Sequence, residues 1–450
     1  MLNYIWLALV VLAVAIGGWN NRLNEVTAGA FDGAKTAVAI ALGLIGVMAL
    51  WLGVMRLAER AGLVQRIARG LRPVMRRLFP DVPPEHPAMG SMLMNMAANM
   101  LGLGNAATPL GLRAMRDLET LNPRPGVASN AMCTFLAINT ASVQLIPATA
   151  IALLAAAGSV RPTAIVGTAL LATLCAATVA ITSAKLLEKL PYFRLSGTAN
   201  TPVGGGVADP EKASVPEGSP PEPAEVSDPG YSPPHWRSAL LVLLFLFFIA
   251  LFLRMVFPGL FNLPVNPDTA TQSTFVRSVN ALSILAIPFL LSFFPVYAAT
   301  RGIKVYEEFV EGAKESFGVI LKIIPFLVTM LVAISMFKGA GGIDLLARLL
   351  TPVLAPLHFP PDLLPLALMR PLSGSATLAI LTDIIHRLGP DNIVSLMAAT
   401  IYGSTETTFY VAAVYFGSVG VKQTRHAIPA GLLGDLAGVI ASVIICRAVL

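Results

Sequence analysis

Tyr402-Gly403-Ser404-Thr405-Glu406-Thr407-Thr408 lies inside the apolar run from Ile393 to Phe416. At 1.5 Å per residue that run is long enough to cross a bilayer. Hydroxyls, a glycine and a carboxylate are unfavourable contents for such a helix, because a charge near the bilayer centre costs at least ~2.5–3.5 kcal/mol. Either the hydroxyls bond back to the preceding turn and Glu406 packs against neighbouring helices, or Glu406 belongs to a functional site. Its place in the rest of the chain favours the second.

The chain has 450 residues, of which 55% are hydrophobic and 12% charged. A soluble domain carries about 25% charged residues. Several apolar runs exceed the ~18 residues that mark a membrane helix, and the alternation of a membrane β-barrel is absent. An all-α, polytopic, multi-pass membrane protein follows. The formal charge of +6 comes from arginines beside one membrane helix, so it is not a nucleic-acid footprint. Cys133, Cys175 and Cys446 sit in apolar runs without paired spacing, which leaves no disulfide frame and no metal knuckle.

In order, the reading gives a retained membrane helix over Tyr4–Trp19, a polar connection over Asn20–Lys35 and a second membrane helix over Thr36–Met55. Arg56–Arg77 is a basic amphipathic helix on the cytoplasmic surface. His86–Leu121 is apolar, then broken at Gly102-Leu103-Gly104-Asn105-Ala106-Ala107-Thr108-Pro109. Backbone freed there needs protein or a watery cavity to take it up, which predicts a re-entrant hairpin with its tip at Gly104-Asn105. Asn95 and Asn99 share one face of its first leg. Helix Val127–Ala157 carries Asn139, Thr140, Ser142, Gln144 and Pro147 at its centre, and helix Thr163–Lys185 follows. Ser196–Pro234 is Pro-, Gly-, Ser- and acid-rich and reads as a disordered linker. Two plain membrane helices, Ala239–Val256 and Leu282–Ala299, come next.

The first half then recurs. Asp32-Gly33-Ala34-Lys35 reappears as Glu311-Gly312-Ala313-Lys314, and, without a gap, Ala61-Gly62 as Ala340-Gly341. The broken Gly104–Thr108 is answered by Gly374-Ser375-Ala376-Thr377, and Asn139–Ser142 by Thr405–Thr408. Helix Thr36–Met55 ends in the arginine cluster, whereas its counterpart Phe317–Phe337 starts from the basic loop at Arg301–Lys314. The two copies are therefore expected to be inverted, each supplying a broken hairpin and a polar-centred helix around a midplane site. The expected organisation is an N-terminal transmembrane helix in 1–30, a first repeat in 31–195, a linker in 196–235, two connecting helices in 236–300 and a second repeat in 301–450.

Gly102–Arg116, Arg370-Pro371-Leu372-Ser373-Gly374-Ser375 and Tyr402–Thr408 carry a family resemblance. His86–Lys185 resembles spore maturation protein A, and Glu311–Leu450 resembles spore maturation protein B. Both are similar to the "Gate" domain of concentrative nucleoside transporters and of bacterial ferrous iron transporters. The resemblance implies a concentrative-nucleoside-transporter-like fold, in which hairpin tips and unwound helix centres hold solute and sodium. Carried over, those positions are Asn105 and Thr108 with Asn139–Gln144, then Ser373, Ser375 and Thr377 with Ser404, Thr405, Glu406, Thr407 and Thr408. No G-x-x-x-x-G-K-[ST] is present to drive transport in cis.

Three further residues are weighed singly. Asp383, beside Thr382 on the outer leg of the second hairpin, binds ion or solute, or is simply solvated. Asp435, after Gly431 and Gly434 in the last helix, faces Glu406 or the cavity, or neither. Arg370 pairs with either acid or is a plain interfacial arginine. No residue is expected to be catalytic and none to hold a metal: the histidines do not cluster, and no nucleophile–base pair is present. The expected function is secondary transport of a small solute, nucleoside-like or another small polar metabolite, coupled to Na⁺ or H⁺ through Glu406 without other cofactors. The alternative is a non-transporting membrane protein acting in envelope or spore maturation through protein partners. The expected partners are the solute and the bilayer, with no nucleic acid; a homo-oligomer is compatible with the sequence.

The linker reading carries its own test. Deleting Thr201–Asp228 should leave folding and activity nearly intact, since shortening a flexible connection changes closure entropy only by about (3/2)RT ln of the length ratio. Co-expressing the chain split there should also assemble, as judged by co-purification; loss of assembly in both cases would show that the segment docks.

Overall fold

The computed structural model describes residues 2–102, 104–193, 235–258, 272–342, 345 and 359–450. Every regular element among them is helical. The linker Ser196–Pro234 falls outside the described residues. Among the described residues five helices, in part or whole, are long and apolar enough to cross a membrane: Leu23–Arg60, Ile165–Leu187, Ala239–Val256, Thr274–Thr300 and Ala427–Val449. This is the architecture of a multi-pass membrane protein.

Helix α1 (Leu2–Trp19) turns at Asn20-Asn21 into α2 (Leu23–Arg60). The expected polar connection Asn20–Lys35 is therefore mostly helix, and residues 30 and 31 lie inside α2. The reason is its partner, α11 (Val305–Gly339), which runs antiparallel to α2 at backbone contact distance. A Cβ on Gly33 would sit 2.7 Å from the Leu331 carbonyl oxygen, and one on Gly312 would sit 2.7 Å from that of Leu52. Small residues on both helices let the two backbones touch, and packing of this kind holds polar sequence in a helix that propensity alone would not. At one end of the pair Arg56 meets Glu308 and Glu315, each at 2.8 Å, so the arginine cluster and the start of α11 share one end of the molecule.

After the left-handed Gly62 (φ +74°), α3 (Leu63–Leu78) buries Val64, Ala68 and Met75 and presents its arginines outward. Helices α4 (Pro87–Met100) and α5 (Gly104–Glu119) pack on each other as a hairpin whose turn contains Gly102 (φ +75°), so the expected tip at Gly104-Asn105 is instead the first turn of α5. The expected single helix Val127–Ala157 is two helices, α6 (Asn130–Ala141) and α7 (Ala148–Ala156). Ser129 caps α6 by accepting from the Met132 amide at 3.2 Å, and the helix stops at Ser142, whose φ of 38° no helix can continue. Then come α8 (Ile165–Leu187), α9 (His235–Val256) and α10 (Thr274–Thr300). Only 6% of the apolar window of α9 is buried, as expected of a helix wrapped by lipid.

The second half follows α11 with a short α12 (Leu364–Met369) and α13 (Gly374–Leu388), joined by Arg370–Ser373. Ser373 caps α13, accepting from the Ala376 amide at 3.2 Å. The opening run Ile393–Phe416 is also discontinuous: α14 (Ile393–Ser404) and α15 (Thr408–Gly417) flank Thr405-Glu406-Thr407. The last helix, α16 (Ala427–Val449), packs against α8, α6 and α14.

Candidate functional site

The two broken helices meet at their breaks. The Glu406 amide, released from the α14 ladder, donates to the Thr140 carbonyl at 2.7 Å. Each break also leans on a hairpin: the Leu145 amide donates to the Met100 carbonyl, and the Phe409 amide to that of Pro371, both at 3.0 Å. Backbone groups that lipid would leave bare are thus satisfied by one another. The broken helices lie antiparallel: Gly126 and Ala128, at the start of the first, bond Lys422 and Gln423 beyond the second. Asp391, before the second, accepts from Ser159 (2.6 Å) and from the Val160 amide (3.1 Å), beyond the first. Those two bonds hold the exposed Asp391 carboxyl below the usual carboxylate range.

On the first-hairpin side the polar side chains form one network. Asn99 donates to Asn139 Oδ1 at 2.9 Å, and the Tyr415 hydroxyl donates to the same oxygen at 3.3 Å. Asn95 donates to the Ala107 carbonyl (2.8 Å) and to the Tyr415 hydroxyl (3.3 Å). Tyr415 therefore ties α15 to the opposite hairpin. It was not among the candidates, and its only mark in the sequence is a phenol, one of two with Tyr410 in a mostly apolar helix.

The second network surrounds Glu406. Buried Arg370 donates from Nη1 to Thr407 Oγ1 (3.3 Å) and from Nη2 to the Tyr402 carbonyl (3.1 Å). Its Nη2 lies 3.9 Å from Glu406 Oε2, and its guanidinium stacks 4.9 Å from the Tyr402 ring centroid. A plain interfacial arginine is thereby excluded: Arg370 is the counter-charge of Glu406. The Glu406 side chain is 41% exposed and lines a cavity of ≈ 940 Å³ with Ser373, Ser375, Thr407 and the apolar face of α15. Deeper, Thr408 donates to Asp435 Oδ2 at 2.6 Å and Ser404 lies 3.3 Å from Ser442.

The remaining candidates do not join these clusters. Asp383 is held by Lys338 (3.9 Å) and Arg387 (3.6 Å), away from Glu406, so its place is in an ion-pair group on α13. Thr377 donates to the Ser373 carbonyl and Thr140 to that of Ala137, both within their own turns. Gln144 donates to Ser142 at 3.4 Å inside the first break. Thr108 is half-buried on α5, and the side chain of Asn105 lies outside the described residues. Among the described residues no group of three or more His, Cys, Asp or Glu is arranged to hold a metal ion.

The Gate model, described as nucleoside recognition, matches residues 41–157 and 320–422, which include both breaks. Spore maturation protein A of Bacillus subtilis (strain 168) is 45% identical over 194 residues, 43% of this chain and 97% of that protein. Spore maturation protein B of the same organism is 44% identical over 167 residues, 37% of this chain and 94% of that protein. No solved structure matches the chain. The chain thus belongs to the family of spore maturation proteins A and B and carries a Gate domain, in a form consistent with a fusion of the two.

Proposed function

We propose that this protein is a secondary transporter of the bacterial inner membrane, built from two inverted repeats, which moves a small polar solute past Glu406 in exchange with or alongside Na⁺ or H⁺. The observation that carries the reading is the Glu406–Thr140 backbone bond, where two interrupted helices meet beside an open cavity. The cavity's ≈ 940 Å³ falls within the ~300–1,000 Å³ usual for small-molecule sites. Inversion draws support from the α2–α11 contact: Gly33 meets Leu331, while Gly312, the counterpart of Gly33, meets Leu52, the counterpart of Leu331. Such reciprocity is what a two-fold axis between repeats produces. A nucleoside-like solute fits the description attached to the Gate domain. Glu406 supplies the one exposed acid at the break, facing hydroxyls and the amide end of α13, where polar groups of a solute would be received.

The printed names of the relatives favour a second reading, a role in envelope or spore maturation through protein partners. Solute dependence separates the two. The purified protein would be screened for thermal stabilisation by nucleosides, amino acids, dipeptides and divalent metals, in Na⁺ and in K⁺. A transported solute at a hundred times its Kd stabilises by about 2.7 kcal/mol. Stabilisation by none of these classes would favour the partner-based role.

A further inference from the structure

One acid at the break is not neutralised by anything the transporter reading uses. Asp435 is buried on α16, with Oδ2 bonded by Thr408 and Oδ1 without a partner. The charged groups that act on it are Arg370, from the turn of the second hairpin, and Glu406, from the break. The segments of α6, α8, α14 and α15 that pack on this part of α16 bring Thr140, Ala176, Ala180, Ser404 and Thr408 to it, small side chains and hydroxyls without charge. Arg370 lies within ion-pair distance of Glu406, whereas no ion pair reaches Asp435 among the described residues. One cation therefore faces two carboxylates, and a desolvated carboxylate is neutralised rather than left bare.

A second buried atom marks the same place. The Thr405 hydroxyl has no partner and is as deeply buried as Asp435. Its methyl carbon would lie 2.6 Å from a Cβ on Gly438, and that of Thr408 would lie 2.9 Å from one on Gly431. Gly431, Asp435 and Gly438 recur at helical spacing and form one face of α16. The two glycines let the threonines on either side of the break close over the carboxylate between them.

We propose that Asp435, between Thr405 and Thr408, is the seat of one monovalent cation, a proton or Na⁺, distinct from the solute-facing Glu406. This assignment rests on the transporter reading and deepens it, since it separates the coupling ion from the solute. Thr405 is the first residue of the break and Thr408 the first residue after it, so the charge state of Asp435 acts directly on the segment that holds Glu406 and its bond to Thr140. A cation at Oδ1 leaves the Thr408 bond to Oδ2 in place.

The test compares melting temperatures of the purified full chain, without solute, for wild type, Asp435→Asn and Glu406→Gln. One series runs from alkaline to acid pH in choline chloride, and the other raises NaCl at fixed alkaline pH. Asp435→Asn keeps the shape and is permanently neutral, so it should melt well above wild type where no cation is bound. That gap should close as acid or Na⁺ neutralises the wild type, while Glu406→Gln still responds to acid or Na⁺, over a range displaced by the loss of its charge beside Asp435. Closure with acid alone identifies the proton, and closure with NaCl identifies sodium. A gap that stays constant in both series overturns the assignment, as does closure that is lost in Glu406→Gln. Should Asp435→Asn fail to fold, Thr408→Val replaces it: removing the donor to Oδ2 should move the wild-type acid or Na⁺ response, and an unmoved response would overturn the site. If the gap closes while no solute stabilises any form, the transporter reading fails and the cation site stands.

Discussion

Glu406→Gln should lower ion-driven uptake by about a hundredfold while the protein still inserts and folds. The substitution keeps the shape and the backbone bond to Thr140, and removes the charge opposite Arg370. Polar contacts between membrane helices average only about 0.6 kcal/mol, so a packing residue would cost about threefold. A hydrogen bond to a charged group is worth about 1.5–3 kcal/mol, which at 1.4 kcal/mol per tenfold spans roughly one to two decades. Uptake into proteoliposomes under an imposed Na⁺ or H⁺ gradient measures the difference. Normal uptake with an unchanged ion requirement would make Glu406 structural and the proposed mechanism wrong at its centre.

The second large effect lies far from the cavity. Gly33→Ala and Gly312→Ala should each destabilise the protein by about 1–3 kcal/mol, because the new methyl group meets a backbone carbonyl that cannot turn aside. Gly46 on α2 has nothing within 4 Å of its Cβ position. Gly46→Ala should therefore be neutral or stabilising by about 0.5–1 kcal/mol, through helix entropy alone. The same chemical change thus takes opposite signs on one helix, which denaturation in mild detergent can resolve. Combining Gly33→Ala with Gly312→Ala adds a further check. If α2 and α11 separate as rigid rods, the second substitution costs less than the first; if each site yields locally, the costs add. Destabilisation by Gly46→Ala equal to that by Gly33→Ala would show that α2 and α11 are not in backbone contact.

The membrane class, the presence of two hairpins and the polar centres were legible because desolvation leaves few reasons for Asn139, Thr140 or Glu406 to sit in apolar runs; the hairpin turns themselves lie a few residues earlier than expected, with Gly104 and Gly374 opening α5 and α13. The extent of α2 was not. Asn24, Glu25, Thr27, Asp32 and Lys35 look like loop chemistry, and what holds them helical is a glycine-lined contact with α11, about 300 residues further along the chain. Arg370 stood out as an arginine beside an apolar turn, yet its pairing with Glu406 depends on how the second hairpin docks. Asp383 could have been set aside earlier, since Arg387 stands four positions on, at helical ion-pair spacing. Tyr415 offered no comparable cue: its hydroxyl matters because Asn95 and Asn139 arrive from elsewhere.

The bond between the Glu406 amide and the Thr140 carbonyl crosses from one half of the chain to the other. Neither half holds a complete site, and each alone would present an interrupted helix with unsatisfied backbone to the bilayer. A cell making the halves separately would need equal doses of both and a means of removing the surplus. A single reading frame fixes the ratio at synthesis, and an orphaned half never has to be found and degraded.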